Sequence, residues 1–177
     1  MLGRHVHQHD EEPEVQQQRV GGEAEADAVV LAQEAAPMME QGGGGAVIFV
    51  ASVAAYFAYA PDNAAYSSSK GAVITMTRSL AVELGRANIR VNCICPGLVR
   101  TPMVDPIFQQ VADARGVSLD EAYAICGAEL PAGRIGLPGD FGAPVAFLAS
   151  DESRWITGAV LNVDGGTTAL NPGIMSV

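Results

Sequence analysis

The sequence predicts an α/β fold, in which a partial, doubly wound parallel sheet of three strands is flanked by helices. The first observation is the order of the elements. Apolar stretches of strand length alternate with longer stretches of helical spacing as β-α-β-α-β, and that order builds parallel sheets. The second observation is the first strand, residues 46–51, which is continuously apolar and rich in β-branched side chains. Such a strand is typical of a parallel sheet covered on both faces.

The first half of the fold follows from apolar periodicity and from the breaks in it. A helix from about residue 27 to 40 is predicted by one apolar residue per turn, namely Val29, Ala32, Ala36 and Met39. Glycines 42–45 separate this helix from the first strand. A loop over residues 52–63 then leads to a second helix, from about residue 64 to 86, whose buried stripe is predicted to contain Val73, Thr77, Leu80 and Leu84.

The second half supplies two more strands and a segment between them. A strand over residues 90–95 ends in a Pro96-Gly97 turn, and a third strand is predicted over residues 158–163. Residues 101–120 mix prolines, a glycine and a short amphipathic piece, and they are predicted to form a lid. Ser118 is followed by acidic residues in the next turn, so it is predicted to cap a further helix.

The acidity of the chain is concentrated near its N-terminus. The net charge is −10 over 177 residues, and residues 1–40 hold nine of the twenty acidic side chains but two of the ten basic ones. Residues 1–22 show neither helical nor strand periodicity. We therefore expect residues 1–26 to be a disordered or unrelated leader and residues 27–177 to be the folded domain. Three histidines in the leader have no predicted scaffold, so no metal site is expected at His5, His7 and His9.

Composition also argues against several classes of partner. No basic patch of the kind that binds nucleic acid is present. The longest uncharged run opens with glycines, and its apolar part is shorter than the ~20 residues of a membrane-spanning helix. The three cysteines are too few for a disulfide framework. Cys93 and Cys95 lie on one face of a predicted strand and are expected to pack as small apolar residues. A reduced, cytoplasmic protein is the resulting expectation.

The clearest chemical signal is Tyr66, with Lys70 four residues later and Ser52 at the end of the preceding strand. Residues four apart on a helix share a face. A free phenol titrates near pH ~10, and a neighbouring ammonium favours its ionised form. A phenol assisted in this way can pass a proton to or from an alcohol or carbonyl oxygen, and a serine hydroxyl can hold that oxygen. The alternative interpretation is a core tyrosine and a solvated lysine that share this spacing by chance.

From about residue 28 to its end, the chain resembles the short-chain dehydrogenase/reductase family. Four motifs occur in the family's order: the strand ending at Ser52, the Tyr66–Lys70 pair, the stretch N-I-R-V-N-C-I-C-P-G from Asn88, and T-G-A-V-L-N-V-D-G-G from Thr157. The resemblance implies a partial Rossmann-type sheet. It also implies an oxidoreductase that moves hydride between NAD or NADP and a secondary alcohol or ketone.

The resemblance assigns a role to each site residue. Ser52, Tyr66 and Lys70 match the catalytic residues: the tyrosine is the acid–base group, the serine orients the substrate oxygen, and the lysine assists the tyrosine and hydrogen-bonds the nicotinamide ribose. The implied cofactor-binding residues are Tyr66, Lys70, Pro96, Gly97, Val99 and Thr101. The implied assembly is a homo-oligomer, a dimer or tetramer, formed through the helices at residues 28–40 and 64–86. Tyr56 has no lysine four residues on and receives no catalytic role.

Two departures from the family pattern leave a second hypothesis open. The first asparagine of the chain is Asn63, so no residue can be assigned to the family's asparagine before the serine strand. The glycine-rich turn that holds the pyrophosphate is missing, because glycines 42–45 follow a helix and precede a strand. The chain is therefore expected to be either a truncated oxidoreductase or a non-catalytic fragment that retains only the helix-packing, oligomerisation surface. We further expect one edge of the first strand to be left unpaired.

Overall fold

The computed structural model describes residues 13–57 and 63–170, and it describes side chains from residue 27 onwards. Three strands lie in the described part of the chain, and they are β1 (Gly45–Val50), β2 (Ile89–Pro96) and β3 (Val160–Val163). The α-helices of the same part are α1 (Pro13–Gln41), α2 (Ala64–Leu84), α3 (Asp105–Arg115), α4 (Leu119–Ala128) and α5 (Gly142–Ala149). No helix within these residues is both long and apolar enough to cross a bilayer.

The three strands form one parallel sheet in the order β1-β2-β3. β1 pairs with β2 from Gly45 opposite Ile89 to Val50 opposite Ile94, and β2 pairs with β3 at its C-terminal end, where Cys95 lies opposite Asn162. This arrangement confirms the predicted partial parallel sheet. It also leaves β1 at an edge of the sheet, as the sequence predicts.

Helices cover both faces of the sheet, so the predicted doubly wound arrangement is confirmed. Helices α1 and α2 pack on one face, over a core that includes Phe49, Val73, Leu80, Val91 and Cys93. Helix α5 contacts β1 on the other face, which is the face towards which Arg90 points. The buried stripe predicted for α2 is present at Val73, Thr77 and Leu80, and Leu84 packs against the same core.

The N-terminal helix is longer than the sequence predicts. Helix α1 begins at Pro13, so the predicted beginning near residue 27 is wrong, and residues 13–22 are helical rather than disordered. Periodicity could not reveal this stretch because it offers few apolar residues to a core. The expectation of disorder for residues 1–12, and the absence of a metal site at their histidines, fall outside the described residues. That residues 1–26 are unrelated to the domain stays a prediction.

Residues 101–120, predicted as a lid, contain α3 and lead into α4, the further helix that the sequence predicted, and the two helices share a small core of their own. Helices α3 and α4 are joined by a short turn, and Ser118 caps α4 by accepting a hydrogen bond from the Glu121 N–H at 3.2 Å, as predicted. Phe108 of α3 stacks on Tyr123 of α4 with ring centroids 3.9 Å apart. Ile135 completes this second core. Helices α3 and α4 therefore form a packed hairpin, here called the lid hairpin, and its action as a lid stays a prediction.

Arg90 ties the middle of the sheet to the end of α5. Its guanidinium donates to the Leu148 carbonyl at 2.7 Å, to the Ser153 hydroxyl at 2.9 Å and to the Ser150 carbonyl at 3.1 Å. A cation at a helix C-terminus satisfies carbonyls that have no partner within the helix. The turn that follows α5 is thereby fixed against β2.

Candidate active site

Ser52 lies just beyond the C-terminal end of β1, at the edge where open α/β sheets bind ligands. Its hydroxyl accepts a hydrogen bond from the Ala54 N–H at 3.2 Å and so caps a short 3-10 turn, Val53–Ala55. Val53 and Ala54 are buried, and the turn packs against α2. The serine is therefore held in a fixed loop beside the helix that carries the predicted tyrosine.

Tyr66 and Lys70 lie in the first two turns of α2. The Lys70 Nζ lies 5.6 Å from the centroid of the Tyr66 ring, so the predicted sharing of one helix face is confirmed. Tyr66 is 39% exposed, so the residue is not sealed in the core. Helix α2 begins directly after Asn63, so its first turn is close in sequence to the Ser52 loop. The turn that Ser52 caps also packs against α2.

The predicted cofactor segment begins where β2 ends. Pro96 is the last residue of that strand, and the Gly97 N–H donates to the Val163 carbonyl of β3 at 3.2 Å. Val99 forms an isolated parallel bridge with Gly136. The Thr101 carbonyl accepts hydrogen bonds from the Val104 and Asp105 N–H groups at 3.0 and 3.3 Å and leads into α3. This segment therefore connects the sheet to the lid hairpin.

Residue 97 has to be a glycine because two chain segments approach each other closely at this point. A Cβ built on Gly97 would lie 2.7 Å from the Asp164 Cα and 2.9 Å from its carbonyl oxygen. Backbone atoms of this kind cannot move aside without shifting the loop after β3. The glycine therefore allows the two loops at the ends of β2 and β3 to lie against each other.

The variant Gly97→Ala is expected to destabilise the chain by about 2 kcal/mol, because overpacking of this kind forces a backbone shift. Urea unfolding followed by far-UV circular dichroism measures the loss. Gly71→Ala is the matched control, since a Cβ at Gly71 meets no atom within 4 Å. Equal stability of the two variants would show that the approach of residue 97 to Asp164 does not constrain this turn.

The structure groups the predicted residues in two sets. Tyr66 and Lys70 lie together on α2, the helix that packs against the turn capped by Ser52, and Pro96 with Gly97 lies at the adjoining end of β2. Val99 and Thr101 belong to the connection with the lid. No hydrogen bond joins the hydroxyls of Ser52 and Tyr66 in the described part of the chain.

Tyr56 also lies at this edge of the sheet, although the spacing of residues around it in the sequence did not predict a role there. Its hydroxyl donates to the Asn162 Oδ1 of β3 at 3.2 Å and lies 3.8 Å from the Cys95 Sγ of β2. The phenol thus spans the ends of all three strands. Desolvation by burial and the hydrogen bond with Cys95 raise the pKa of Tyr56 to about 12. It stays protonated at neutral pH, so it is suited to holding the Ser52 loop rather than to proton transfer.

The two cysteines of β2 differ in their acidity although both are buried. The neighbouring Cys93 thiol, with a smaller effect from the Tyr56 hydroxyl, lowers the pKa of Cys95 to about 7 against the effect of burial. The neighbouring Cys95 thiol, together with burial, raises the pKa of Cys93, whose thiol donates to the Ile94 carbonyl at 3.3 Å. Cys93 therefore behaves as the small core residue that the sequence predicts, and Cys95 is the more acidic thiol, next to Tyr56.

The residues present fit one end of a nicotinamide dinucleotide. The Lys70 ammonium and the Tyr66 hydroxyl supply donors of the kind that bind a ribose, and the backbone from Gly97 to Thr101 lies at the same edge. Within residues 13–57 and 63–170, no glycine-rich turn joins the end of a strand to the start of an α-helix. The described residues therefore offer donors of the kind that the nicotinamide end needs and no helix N-terminus of that kind for the pyrophosphate.

Comparison with protein families and curated proteins gives consistent matches. A family model described as enoyl-(acyl carrier protein) reductase matches residues 26–168. The chain is 41% identical over 134 residues to the oxidoreductase UcpA of Salmonella typhimurium, covering 75% of this chain and 49% of that protein. It is 39% identical over 121 residues to versicolorin reductase 1 of Dothistroma septosporum, covering 68% and 46%. The chain thus spans about half the length of the curated relatives it matches.

Solved structures give the same result. A short-chain dehydrogenase family protein of Francisella tularensis is 40% identical with a TM-score of 0.64, over 72% of this chain and 52% of that one. L-sorbose reductase of Gluconobacter frateurii, solved in complex with NADPH and L-sorbose, is 32% identical with a TM-score of 0.73, over 81% and 55%. The described fold is therefore similar to about half of each of these enzymes.

Proposed function

The chain belongs to the short-chain dehydrogenase/reductase family of oxidoreductases, and on this basis we propose that it carries the catalytic half of an enzyme that interconverts a secondary alcohol and a ketone. The cofactor proposed is NAD or NADP, which supplies or accepts the hydride. The substrate is a small molecule that presents its hydroxyl or carbonyl at the C-terminal ends of β1 and β2. The assembly proposed is a cytoplasmic homo-oligomer, a dimer or tetramer, packed through α1 and α2.

Three side chains act in the proton transfer of the proposed reaction: one exchanges the proton with the substrate, and two assist it. In the direction of reduction, the Tyr66 hydroxyl donates its proton to the substrate oxygen, and in the direction of oxidation the same phenolic oxygen accepts it. The Ser52 hydroxyl donates a hydrogen bond that keeps the substrate oxygen beside the phenol. The Lys70 ammonium stabilises negative charge on the phenolic oxygen once the proton has left, and its hydrogens can also bind the ribose hydroxyls of the cofactor.

One observation supports this proposal more strongly than any other. Lys70 Nζ lies within 5.6 Å of the centroid of the Tyr66 ring, on a helix end that packs against the loop holding Ser52. A tyrosine placed by chance on a helix surface has no reason to lie beside a lysine on the helix that packs against a capped serine loop. Printed names of relatives support the reaction class, since they include an oxidoreductase and a versicolorin reductase. The L-sorbose reductase complex with NADPH supports the cofactor class.

A second candidate function is a non-catalytic subunit that keeps only the helix-packing surface. It is favoured by a specific observation, because the chain matches about half of its relatives and the described residues lack a glycine-rich turn for a pyrophosphate. In this case the chain associates with related subunits through α1 and α2 and turns over no substrate.

Titration with NADH and NADPH, followed by nicotinamide fluorescence and carried out on the chain alone and on the chain supplied with the missing half, separates the two functions. Because donors for the pyrophosphate are missing from the described residues, we expect the chain alone to bind with a dissociation constant of roughly a millimolar or weaker, without ketone reduction above background. Tight, micromolar binding accompanied by ketone reduction would contradict this expectation and exclude the non-catalytic function. If no binding appears even after the missing half is supplied, the proposed enzyme function fails.

A further inference from the structure

Asn162 of β3 joins the end of this strand to the turn that Ser52 caps. Its Oδ1 accepts a hydrogen bond from the Tyr56 hydroxyl at 3.2 Å, and its backbone lies opposite Cys95 in the pairing of β2 with β3. The Cys95 Sγ lies 3.8 Å from the same phenolic oxygen. The hydroxyl of Tyr56 is therefore held by one side chain from β2 and one from β3.

The loop after β3 decides which end of the Asn162 amide meets Tyr56. The Asp164 carboxylate accepts a hydrogen bond from the Thr168 hydroxyl at 2.7 Å, and it also accepts from the N–H groups of Thr168 at 2.8 Å and Gly166 at 2.9 Å. A carboxylate only accepts hydrogen bonds, so the Thr168 hydroxyl donates its hydrogen there and can only accept from its other neighbour. That neighbour is the Asn162 Nδ2, at 2.9 Å. The amide oxygen consequently faces Tyr56.

The turn from Ser52 to Tyr56 is short and is closed by its own backbone. The Ala54 N–H donates to the Ser52 Oγ at 3.2 Å, and the Ala55 N–H donates to the Ser52 carbonyl at 3.0 Å. The Tyr56 N–H completes the turn by donating to the Val53 carbonyl at 3.0 Å. A serine oxygen that accepts from the backbone keeps its own hydrogen for another acceptor. The direction of that hydrogen is restricted by the turn, and the turn ends at the residue that β3 holds.

We propose that Asn162 is a positioning residue for the reaction proposed above: through the Tyr56 hydroxyl it fixes the far end of the turn that orients the Ser52 hydroxyl towards the substrate oxygen. The inference rests on the proposed function, and it gives Asn162 no contact with the substrate itself. A small displacement of a group that orients a substrate lowers the rate of reaction. Because the hydrogen bond between Tyr56 and Asn162 is exposed to solvent, the effect of its loss on the rate is moderate.

Hydrogen exchange of the full 177-residue chain tests the contact without any turnover. Asn162→Leu keeps a side chain of similar size and removes both amide groups. We expect the amides of Ala54, Ala55 and Tyr56 to exchange about fivefold faster in this variant, the factor that corresponds to one net hydrogen bond, while the amides of β1 keep their rates. The matched control is Leu161→Ala, which truncates the neighbouring side chain on the other face of β3 and should leave these exchange rates within about twofold.

Steady-state kinetics tests the catalytic consequence, on the chain supplied with the half of its relatives that it does not match. Asn162→Leu should lower kcat about fivefold and leave the KM for the dinucleotide unchanged. The same substitution in a Ser52→Ala background should lower kcat by less than about twofold, because the hydroxyl that Asn162 positions is already absent. A side chain that only stabilises the fold lowers kcat equally in both backgrounds.

The outcomes separate this inference from the proposed function. Unchanged exchange of the turn amides in Asn162→Leu overturns the proposal, and so does an equal loss of kcat with and without the Ser52 hydroxyl. Faster exchange of those amides, in a protein that reduces no ketone even when the missing half is supplied, counts against the proposed function and leaves the hold of Asn162 on the Ser52 turn in place.

Discussion

Replacing Tyr66 with phenylalanine is expected to lower ketone reduction at least a hundredfold in the assembled enzyme. The substitution removes one hydroxyl, and that hydroxyl is the proposed proton donor; general acid–base groups typically contribute 10²–10⁴ in rate. The effect should appear in kcat, because the side chain acts on the transition state rather than on binding alone. Steady-state kinetics of the chain supplied with the half of its relatives that it does not match, with NADH or NADPH and a panel of small ketones, measures it.

The control for this variant is the same substitution at Tyr56. Its phenol has a raised pKa and is engaged with Asn162, so Tyr56→Phe should lose much less activity than Tyr66→Phe. Thermal unfolding of both variants shows whether the fold is kept. A Tyr66→Phe enzyme that retains more than about a tenth of wild-type kcat would remove Tyr66 from the role of proton donor.

Replacing Arg90 with leucine is expected to destabilise the chain by about 3 kcal/mol. The guanidinium makes three hydrogen bonds across 58 to 63 positions of sequence. Hydrogen bonds to charged groups contribute roughly 1.5–3 kcal/mol each after exchange with water, and the cost of desolvating the guanidinium offsets part of their sum. Its loss leaves the carbonyls at the end of α5 and the buried Ser153 hydroxyl with fewer donors. The midpoint of urea unfolding should fall accordingly.

Arg86→Leu is the matched control, because Arg86 is an exposed arginine only four residues earlier. Surface substitutions of this kind usually change stability by less than about 0.5 kcal/mol. A similar midpoint for the two leucine variants would mean that Arg90 does not hold the turn after α5 against the sheet.

The strands and the Tyr66–Lys70 pair could be predicted from the sequence because both depend on short-range spacing. A continuous apolar run identifies a buried strand wherever it lies, and a separation of four residues fixes a shared helix face. The position of Ser52 followed from the end of such a run. These features need no knowledge of how distant segments meet.

Other features could not be predicted because they depend on contacts between residues far apart in sequence. Tyr56 and Asn162 are separated by 106 positions, and their hydrogen bond exists only because β1 and β3 end at the same edge. Helix α1 begins at Pro13 although its first turns have no apolar stripe. The hairpin of α3 and α4 likewise depends on the stacking of Phe108 on Tyr123, which the mixed composition of residues 101–120 does not predict.

The packing of α3 on α4 lowers the entropic cost of any ligand contact with them. Ordering a flexible loop around a ligand costs conformational entropy, on the order of 1–2 kcal/mol for each backbone residue that becomes fixed. In α3 and α4 this ordering has already occurred during folding, because the helices pack on each other through their own core. A ligand that contacts these helices therefore does not have to order their backbone.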